Sequence, residues 1–275
     1  MSTDSVDAVI VGGGPAGTVT AIALARADPA LAERVVLLER ARYPREKYCA
    51  GAVGGRGDAI LARLDARPEV PSVPIRGMSF RGKDEERSAF VAPIGRVVRR
   101  IEFDAALAEI ARARGVRIVE EAKVERVEQD GARARVTTSK GAFEARVVVG
   151  ADGVGSVVRK AMGLGAGTMR AQVLELDTEQ VPGERDRGLL HFDASDRDLT
   201  GYFWDFPTLV RGEELVCRGI YHLRVRDDDV DLTARLGEYL ARLGLDVTKY
   251  KNRRYAERGI DFDERLAQGA LLLAG

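Results

Sequence analysis

A glycine-rich turn between an apolar strand and an alanine-rich helix is the feature that most constrains the fold. Residues 6–11 form a nearly continuous apolar run, which predicts a buried parallel strand, and residues 18–27 predict a helix. Residues 12–17 fit the pattern G-x-G-x-x-G, and residues 34–39 follow as a second buried strand. Strand, turn, helix and strand within about 35 residues predict a Rossmann-like βαβ unit of an α/β fold.

The glycine turn predicts a dinucleotide site. Gly12 permits the tight bend, Gly14 lets a phosphate approach the backbone, and Gly17 lets the helix pack close to the sheet. The N–H groups at the start of the helix would hold a pyrophosphate. Glu39 ends the second strand, where a carboxylate can bind both ribose hydroxyls and repel a 2′-phosphate. The alternative is a glycine-rich turn that binds nothing.

Composition excludes several classes of function. The chain has 275 residues, with 43 Lys and Arg against 43 Asp and Glu, so its net charge of zero gives no field that would attract nucleic acid. Cys49 and Cys217 are too few for a disulfide framework and lack the spacing of a metal site. We expect no metal, a structural role for His191 and His222, and, because no apolar run reaches the length of a membrane span, a cytoplasmic protein.

The rest of the chain predicts strands around a few helices. A hairpin is predicted for 78–81 and 88–91, and a helix for 103–114. The alternating pattern of three further segments predicts a small antiparallel meander, formed by 116–119, 122–128 and 132–138. A second antiparallel sheet is predicted from 172–176, 187–192, 201–206 and 214–223. A helix over 231–243 and a last buried strand over 270–275 complete the pattern.

Four segments, in order along the chain, carry a resemblance to a known family. They read P-R-x-K-x-C-x-G at 44–51, R-x-x-F-D at 100–104, G-A-D-G-x-x-S-x-x-R at 150–159 and G-Y-x-W-x-F-P at 201–207. Together they resemble the geranylgeranyl reductase family of FAD-dependent oxidoreductases, flavoproteins of the p-hydroxybenzoate hydroxylase type. The third segment also fits a strand-to-helix turn with an Asp or Ser cap.

The resemblance implies two domains and a set of FAD contacts. A discontinuous FAD-binding domain would comprise 1–72, 98–165 and 262–275, and an antiparallel-sheet substrate domain would comprise 73–97 and 166–261. The residues assigned to FAD by the motifs are Gly12, Gly14, Pro15, Ala16, Gly17, Glu39, Arg40, Cys49, Ala50, Ala52, Arg100, Val124 and Asp152. For Arg100 the alternative is a surface arginine.

The activity that the resemblance implies is saturation of C=C bonds in a prenyl chain by hydride transfer from reduced flavin. NAD(P)H or a ferredoxin would supply the electrons, and the substrate would be a hydrophobic small molecule or lipid, which allows peripheral contact with a membrane. Catalytic candidates are Cys49, Tyr202 and Trp204. Cys49 would lie near the flavin and help to deliver a proton, or merely fill space. Tyr202, Trp204, Phe206 and Pro207 would wall an apolar channel, or pack as ordinary aromatic residues.

Two other readings stay open. The aromatic segment also resembles the G-W-x-W-x-I-P motif of flavin-dependent halogenases, and the glycine motifs are shared with monooxygenases, so oxygen chemistry on a secondary metabolite is the alternative activity. Lys83 is then the candidate for the lysine that a halogenase requires. The family's last strand continues as G-D-A-A-G, whereas this sequence stops at Gly275. An inactive truncated fragment is therefore the third reading. The acidic run at 227–229 is expected to be a solvated turn.

Overall fold

A computed structural model of the chain describes residues 3–225, 230–259, 261 and 263–275. The strands are β1 (Thr3–Val11), β2 (Val35–Leu38), β3 (Ala52–Gly54), β4 (Ser72–Arg81), β5 (Glu86–Val98), β6 (Arg117–Val119), β7 (Val124–Asp130), β8 (Arg133–Thr138), β9 (Gly141–Gly150), β10 (Arg170–Thr178), β11 (Leu189–Asp193), β12 (Gly201–Val210), β13 (Glu213–Leu223), β14 (Arg253–Arg258), β15 (Ala267–Gln268) and β16 (Leu271–Leu273). The α-helices are α1 (Pro15–Ala27), α2 (Pro29–Ala32), α3 (Gly55–Arg63), α4 (Arg100–Ala113), α5 (Val157–Ala161) and α6 (Leu232–Ala241).

The first sheet has a parallel centre that is covered on both faces. Its order is β15-β16-β9-β1-β2-β6, and the neighbours from β16 to β6 run parallel. Ile10 of β1 packs with α1 and α4 on one face, whereas Val9 and Val11 pack with β7, β8 and α5 on the other. Because both faces are buried, the strand sequence is apolar throughout, as predicted for a Rossmann-like α/β fold.

One strand of the predicted meander belongs elsewhere. The antiparallel meander is formed by β7, β8 and β9. Residues 117–119 instead pair with β2 in parallel, so the prediction that 116–119 joins the meander is wrong. Alternation alone cannot distinguish the two arrangements, because an edge strand of a parallel sheet also has one exposed face.

Two helices begin earlier than predicted. Helix α1 starts at Pro15 instead of residue 18, because proline fits the first turn, where its missing N–H costs nothing. Helix α4 starts at Arg100 instead of residue 103, and its N-cap residue Arg99 makes no side-chain capping bond. No capping residue in the sequence marks that start.

The second sheet has the order β14-β10-β13-β12-β11-β4-β5-β3. Its neighbours are antiparallel except β11 and β4, which run parallel and depart from the predicted antiparallel pattern. The predicted hairpin is present, with Met78 opposite Ala89. Strand β3 pairs with β5 in this sheet, although its residues fall in the range predicted for FAD binding. The division into two domains stays a prediction.

Helix α6 covers one face of the second sheet. Leu232, Leu236 and Leu240 of the helix pack against Leu174 and Ile220 of the sheet. The acidic run at 227–229 lies outside the described residues. Within the described part of the chain, no helix has the length and apolar character needed to cross a bilayer.

Candidate functional site

The glycine turn has the geometry of a phosphate-binding loop. Gly12 has a φ of +106°, and a Cβ there would lie 2.3 Å from the carbonyl oxygen of Ala151. A Cβ at Gly17 would lie 1.8 Å from the oxygen of Gly12, so α1 approaches the turn as closely as only glycine allows. Around Gly14, by contrast, the nearest atom to a built Cβ is an Arg100 nitrogen at 3.8 Å. The turn is therefore closed toward the sheet and open above Gly14.

Glu39 is fixed at the end of β2 by backbone donors. Its side chain, which is almost fully buried, accepts hydrogen bonds from the N–H of Gly13 at 3.1 Å and of Ala41 at 2.9 Å. Arg45 contributes an ion pair at 3.1 Å. A carboxylate has about four acceptor positions, so ribose hydroxyls can add to these bonds.

The segment after Glu39 folds back over the glycine turn. The hydroxyl of Tyr43 donates to the carbonyl of Gly13, and Arg45 donates to the same oxygen at 3.1 Å. Arg45 also pairs with Asp104 at 3.0 Å. Burial, followed by the charge of Glu39, raises the pKa of Tyr43 well above its ordinary value, so the hydroxyl remains a donor. Arg40, assigned to FAD by the resemblance, is exposed.

Arg100 lies at the first turn of α4 and faces the glycine turn. It makes two bonds to Asp104, at 2.6 and 2.9 Å, and the Asp104 side chain is completely buried. Burial alone would lower the pKa of Arg100, but its contacts with Asp104 and Cys49 raise it above the ordinary value. Arg100 is thus a fixed cation within reach of Gly14, and the alternative of a surface arginine is wrong.

The motif at 150–159 caps helix α5 and packs against the glycine turn. Asp152 Oδ2 accepts from the N–H of Val157 at 2.6 Å, and Ser156 caps α5 through the N–H of Arg159 at 2.9 Å. The Asp152 Cα would lie 2.8 Å from a Cβ at Gly12, so the two segments touch. Asp152 Oδ1 is buried without a hydrogen-bond partner among the described residues.

An apolar groove of about 530 Å³ adjoins the glycine turn. Helices α1, α3 and α4 and the Cys49 segment form its walls. The lining residues include Pro15, Ala16, Val19, Cys49, Gly51, Ala52, Leu61, Arg100, Phe103 and Gly275. Five of the residues predicted to contact FAD therefore line one groove, namely Pro15, Ala16, Cys49, Ala52 and Arg100.

The Cys49 loop, residues 49–51, lies between this groove and the aromatic cluster of the second sheet. Cys49 and Gly51 line the groove, whereas Ala50 packs on the aromatic cluster of the sheet. Gly51 has a φ of +86°, and a Cβ there would lie 2.0 Å from the carbonyl oxygen of Val98. Its own carbonyl accepts from the N–H of Val98 at 2.9 Å. The loop is therefore anchored on the second sheet by a residue that must be glycine.

Aromatic side chains cover the face of the second sheet that lies opposite α6. Tyr202, Trp204 and Phe206 alternate along β12 and share this face, as predicted. The aromatic face is defined by Phe192, Tyr202, Trp204, Phe206, Tyr221 and Tyr255. Tyr202 stacks on Tyr221 with a centroid distance of 5.2 Å. Pro207 belongs to the opposite face by alternation, so its predicted place in the wall is wrong.

Val124 and Lys83 both lie apart from the groove. Val124 begins β7 and is buried in the core on the far side of the first sheet, two residues after Ala122, whose N–H donates to the carbonyl of Glu39 at 2.9 Å. Lys83 lies at the exposed tip of the β4–β5 hairpin, 4.0 Å from Asp84, and is absent from the groove lining.

The sequence patterns did not predict the polar and charged residues that hold the site residues in place. Asp104, Arg45 and Tyr43 hold the cations and the carboxylate around the glycine turn. Glu175 and Arg253 lie beneath the Cys49 loop. Asp104 is the last residue of the R-x-x-F-D segment at 100–104, so the motif did point to this position. Glu175 stands among apolar residues of a predicted strand, where a buried acid was unexpected.

The residues fit FAD. An open approach above Gly14, a buried carboxylate at Glu39, an Asp152 oxygen with no partner among the described residues, and an apolar groove suit a dinucleotide that ends in a large aromatic ring. The fold and the site together define a dinucleotide-binding α/β protein.

Comparison with known proteins assigns the family. The family model described as FAD dependent oxidoreductase matches residues 79–250. The chain therefore belongs to the FAD-dependent oxidoreductases, and this membership supports FAD as its cofactor.

Individual relatives share the fold and part of the length. Digeranylgeranylglycerophospholipid reductase 1 of Methanopyrus kandleri is 30% identical over 221 residues, covering 73% of this chain and 54% of that protein. A geranylgeranyl bacteriochlorophyll reductase-like protein of Thermoplasma acidophilum superposes with a TM-score of 0.80 at 19% identity, covering 99% of this chain and 71% of that one. The flavin-dependent halogenase CmlS superposes with a TM-score of 0.74 at 22% identity, covering 99% and 53%. The chain spans between 57% and 60% of the length of the first three curated relatives that it matches.

Proposed function

We propose that this chain holds FAD in the glycine-turn groove and reduces C=C bonds of a prenyl chain that lies on the aromatic face. The observation that carries the proposal is the position of the Cys49 loop, which has the groove on one side and the aromatic face on the other. Bound FAD would supply the hydride chemistry. The residues of this chain would bind the dinucleotide, orient the substrate and exclude water.

The aromatic face suits a long unsaturated hydrocarbon. Its rings continue from β12 to β11 and β4, where Phe192 contacts Tyr202 at 5.4 Å and Phe80 at 6.4 Å. Adjacent strands are about 4.8 Å apart, so the row from Tyr255 on β14 to Phe80 on β4 crosses six strands, and its five spacings span about 24 Å. That length accommodates several isoprene units. The similarity to a digeranylgeranylglycerophospholipid reductase supports the same substrate class.

The chain offers two groups for the proton that the reaction requires. Cys49 lies in the loop and contacts Arg100, and Tyr202 lies on the aromatic face. Burial raises the pKa of Tyr202, so its hydroxyl stays protonated at neutral pH. Either group would donate a proton to the substrate carbon adjacent to the one that accepts the hydride.

The test is anaerobic turnover by the full chain. Purified protein would be mixed with FAD, excess dithionite as the electron source and geranylgeraniol as the probe, and the products analysed by mass spectrometry. We expect products heavier by two mass units for each reduced bond, and loss of most turnover in Trp204→Ala. A parallel reaction in air with NADH and halide tests the halogenase and monooxygenase reading. Oxygenated or halogenated product there, with none in the anaerobic reaction, would overturn the proposal.

A further inference from the structure

Glu175 is a buried carboxylate on the same face of the second sheet as the aromatic residues. It lies in β10, two residues from Val173 of the aromatic cluster, and only 1% of its surface is exposed. Its cross-strand partners are Gly219 on β13 and Arg253 on β14. A charged group at this depth needs partners for every oxygen, because an unpaired buried charge is costly.

Both carboxylate oxygens of Glu175 have such partners. One accepts the backbone N–H of Cys49 at 3.0 Å and the other the hydroxyl of Tyr255 at 3.1 Å. Arg253 forms an ion pair with the carboxylate at 3.3 Å. The bond to Cys49 joins residues 126 positions apart and links the sheet directly to the Cys49 loop.

The surrounding charges balance. Arg253 also pairs with Asp177, which pairs in turn with Arg99 at 3.1 Å. Two carboxylates and two guanidinium groups thus form a neutral cluster. Burial raises the pKa of Glu175, although Arg253 and the bond from Tyr255 oppose the shift. Buried ion pairs contribute little net stability compared with apolar packing, so the position of the loop is what the cluster specifies.

We propose that Glu175 is a positioning residue that holds the backbone of Cys49 at the boundary between the groove and the aromatic face. It keeps the Cys49 thiol in contact with Arg100. It also fixes the distance between the groove proposed to hold FAD and the aromatic face proposed to hold the substrate. The functional part of this inference rests on the proposed function, whereas the anchoring contact is testable without FAD.

The test uses the alkylation rate of Cys49 as a local probe of the loop. Cys217 is fully buried, whereas Cys49 is partly exposed, so iodoacetamide reports mainly on the loop. We expect Glu175→Ala to raise the alkylation rate of Cys49 by about fivefold, the factor that loss of one ordinary hydrogen bond gives. Glu175→Gln keeps an acceptor for the N–H of Cys49, and its rate should stay within about twofold of the wild-type rate. Peptide mass spectrometry assigns each modification.

Asp177→Asn is the matched control, because Asp177 lies on the same strand and pairs with the same Arg253 but has no hydrogen bond to the loop among the described contacts. We expect its Cys49 rate to equal that of the wild type. An unchanged Cys49 rate in Glu175→Ala, or an equal rise at Cys49 in Asp177→Asn, would overturn the proposal. The comparison uses Cys49 alone, because the Cys217 thiol itself lies 3.9 Å from Glu175 Oε2. FAD binding by the same variants is measured in a separate titration. Failure of the wild type to bind FAD contradicts the proposed function, but leaves the alkylation result to decide the role of Glu175.

Discussion

The indole ring of Trp204 lies against the backbone of Gly219, its cross-strand neighbour. A Cβ at Gly219 would lie 2.2 Å from Cζ2 of the ring. The ring therefore occupies the space that any side chain at position 219 would need. This contact fixes the position of the Trp204 ring on the aromatic face.

Gly219→Ala should displace the Trp204 ring from the sheet. The chain contains a single tryptophan, so its fluorescence emission reports this residue alone. We expect a red-shifted emission maximum, because the displaced ring is more exposed to water, and reduced turnover of the prenyl probe. Gly165→Ala is the control, because open space surrounds that position. An unchanged spectrum in Gly219→Ala would contradict the packing described here.

Glu39→Gln should weaken FAD binding. The variant loses the charge that would accept ribose hydroxyls from bound FAD, and a hydrogen bond to a charged group is worth about 1.5–3 kcal/mol, so we expect the Kd for FAD to rise at least about tenfold. Quenching of Trp204 fluorescence during an FAD titration measures this change. Glu33→Gln is the control, because Glu33 is exposed, and this variant should bind FAD like the wild type. Equal Kd values for both variants would argue against Glu39 as a ribose ligand.

Gly51→Ala should destabilise the chain. The φ of +86° alone costs a non-glycine residue about 1–3 kcal/mol, and the collision with the carbonyl of Val98 adds to that. Urea unfolding followed by circular dichroism measures the loss. Gly54→Ala, in the same segment but with open space and an ordinary φ, should change the free energy of unfolding little. A wild-type midpoint for Gly51→Ala would show that the loop is not anchored in this way.

Glu86 should contribute to stability in a pH-dependent way. Two hydrogen bonds from Arg185, and one from Ser79, lower its pKa from 4.5 to about 2. A lowered folded-state pKa gives stability that is present above the unfolded value and is lost as the pH falls through the folded value. The difference in urea midpoint between the wild type and Glu86→Gln should therefore be full at about pH 6, shrink as the pH falls, and vanish only below about pH 2. Because the side chain is about one-third exposed, solvent screening keeps the difference small. A difference that is constant over this range would contradict the assignment.

The sequence predicted the parts of the fold that short-range patterns encode. The apolar strand before Gly12, the glycine turn and Glu39 occur in order within one βαβ unit, so their arrangement follows from local rules. Strand β14 was missed because four of its six residues are charged, and its inward residues Arg253 and Tyr255 find their partners on β10. Partners that are far apart in sequence leave no periodic signal.

The same limit applies to the site. Residues 44–51 and 100–104 were recognised as motifs, but nothing local shows that Arg45 and Arg100 share the carboxylate of Asp104. Likewise, the bond from Cys49 to Glu175 depends on the packing of two sheets. The glycine turn and the cofactor class were therefore predictable, whereas the contacts that fix the Cys49 loop required the structure.

The measurement that tests the central claim most directly is the visible absorption spectrum of the chain after incubation with FAD and desalting. The account predicts that about one flavin per chain is retained, that Trp204 emission is quenched, and that both effects are lost in Gly14→Val, where the added side chain fills the open approach above the turn. A chain that is folded by circular dichroism but leaves the column colourless, with unquenched Trp204 emission, would contradict it.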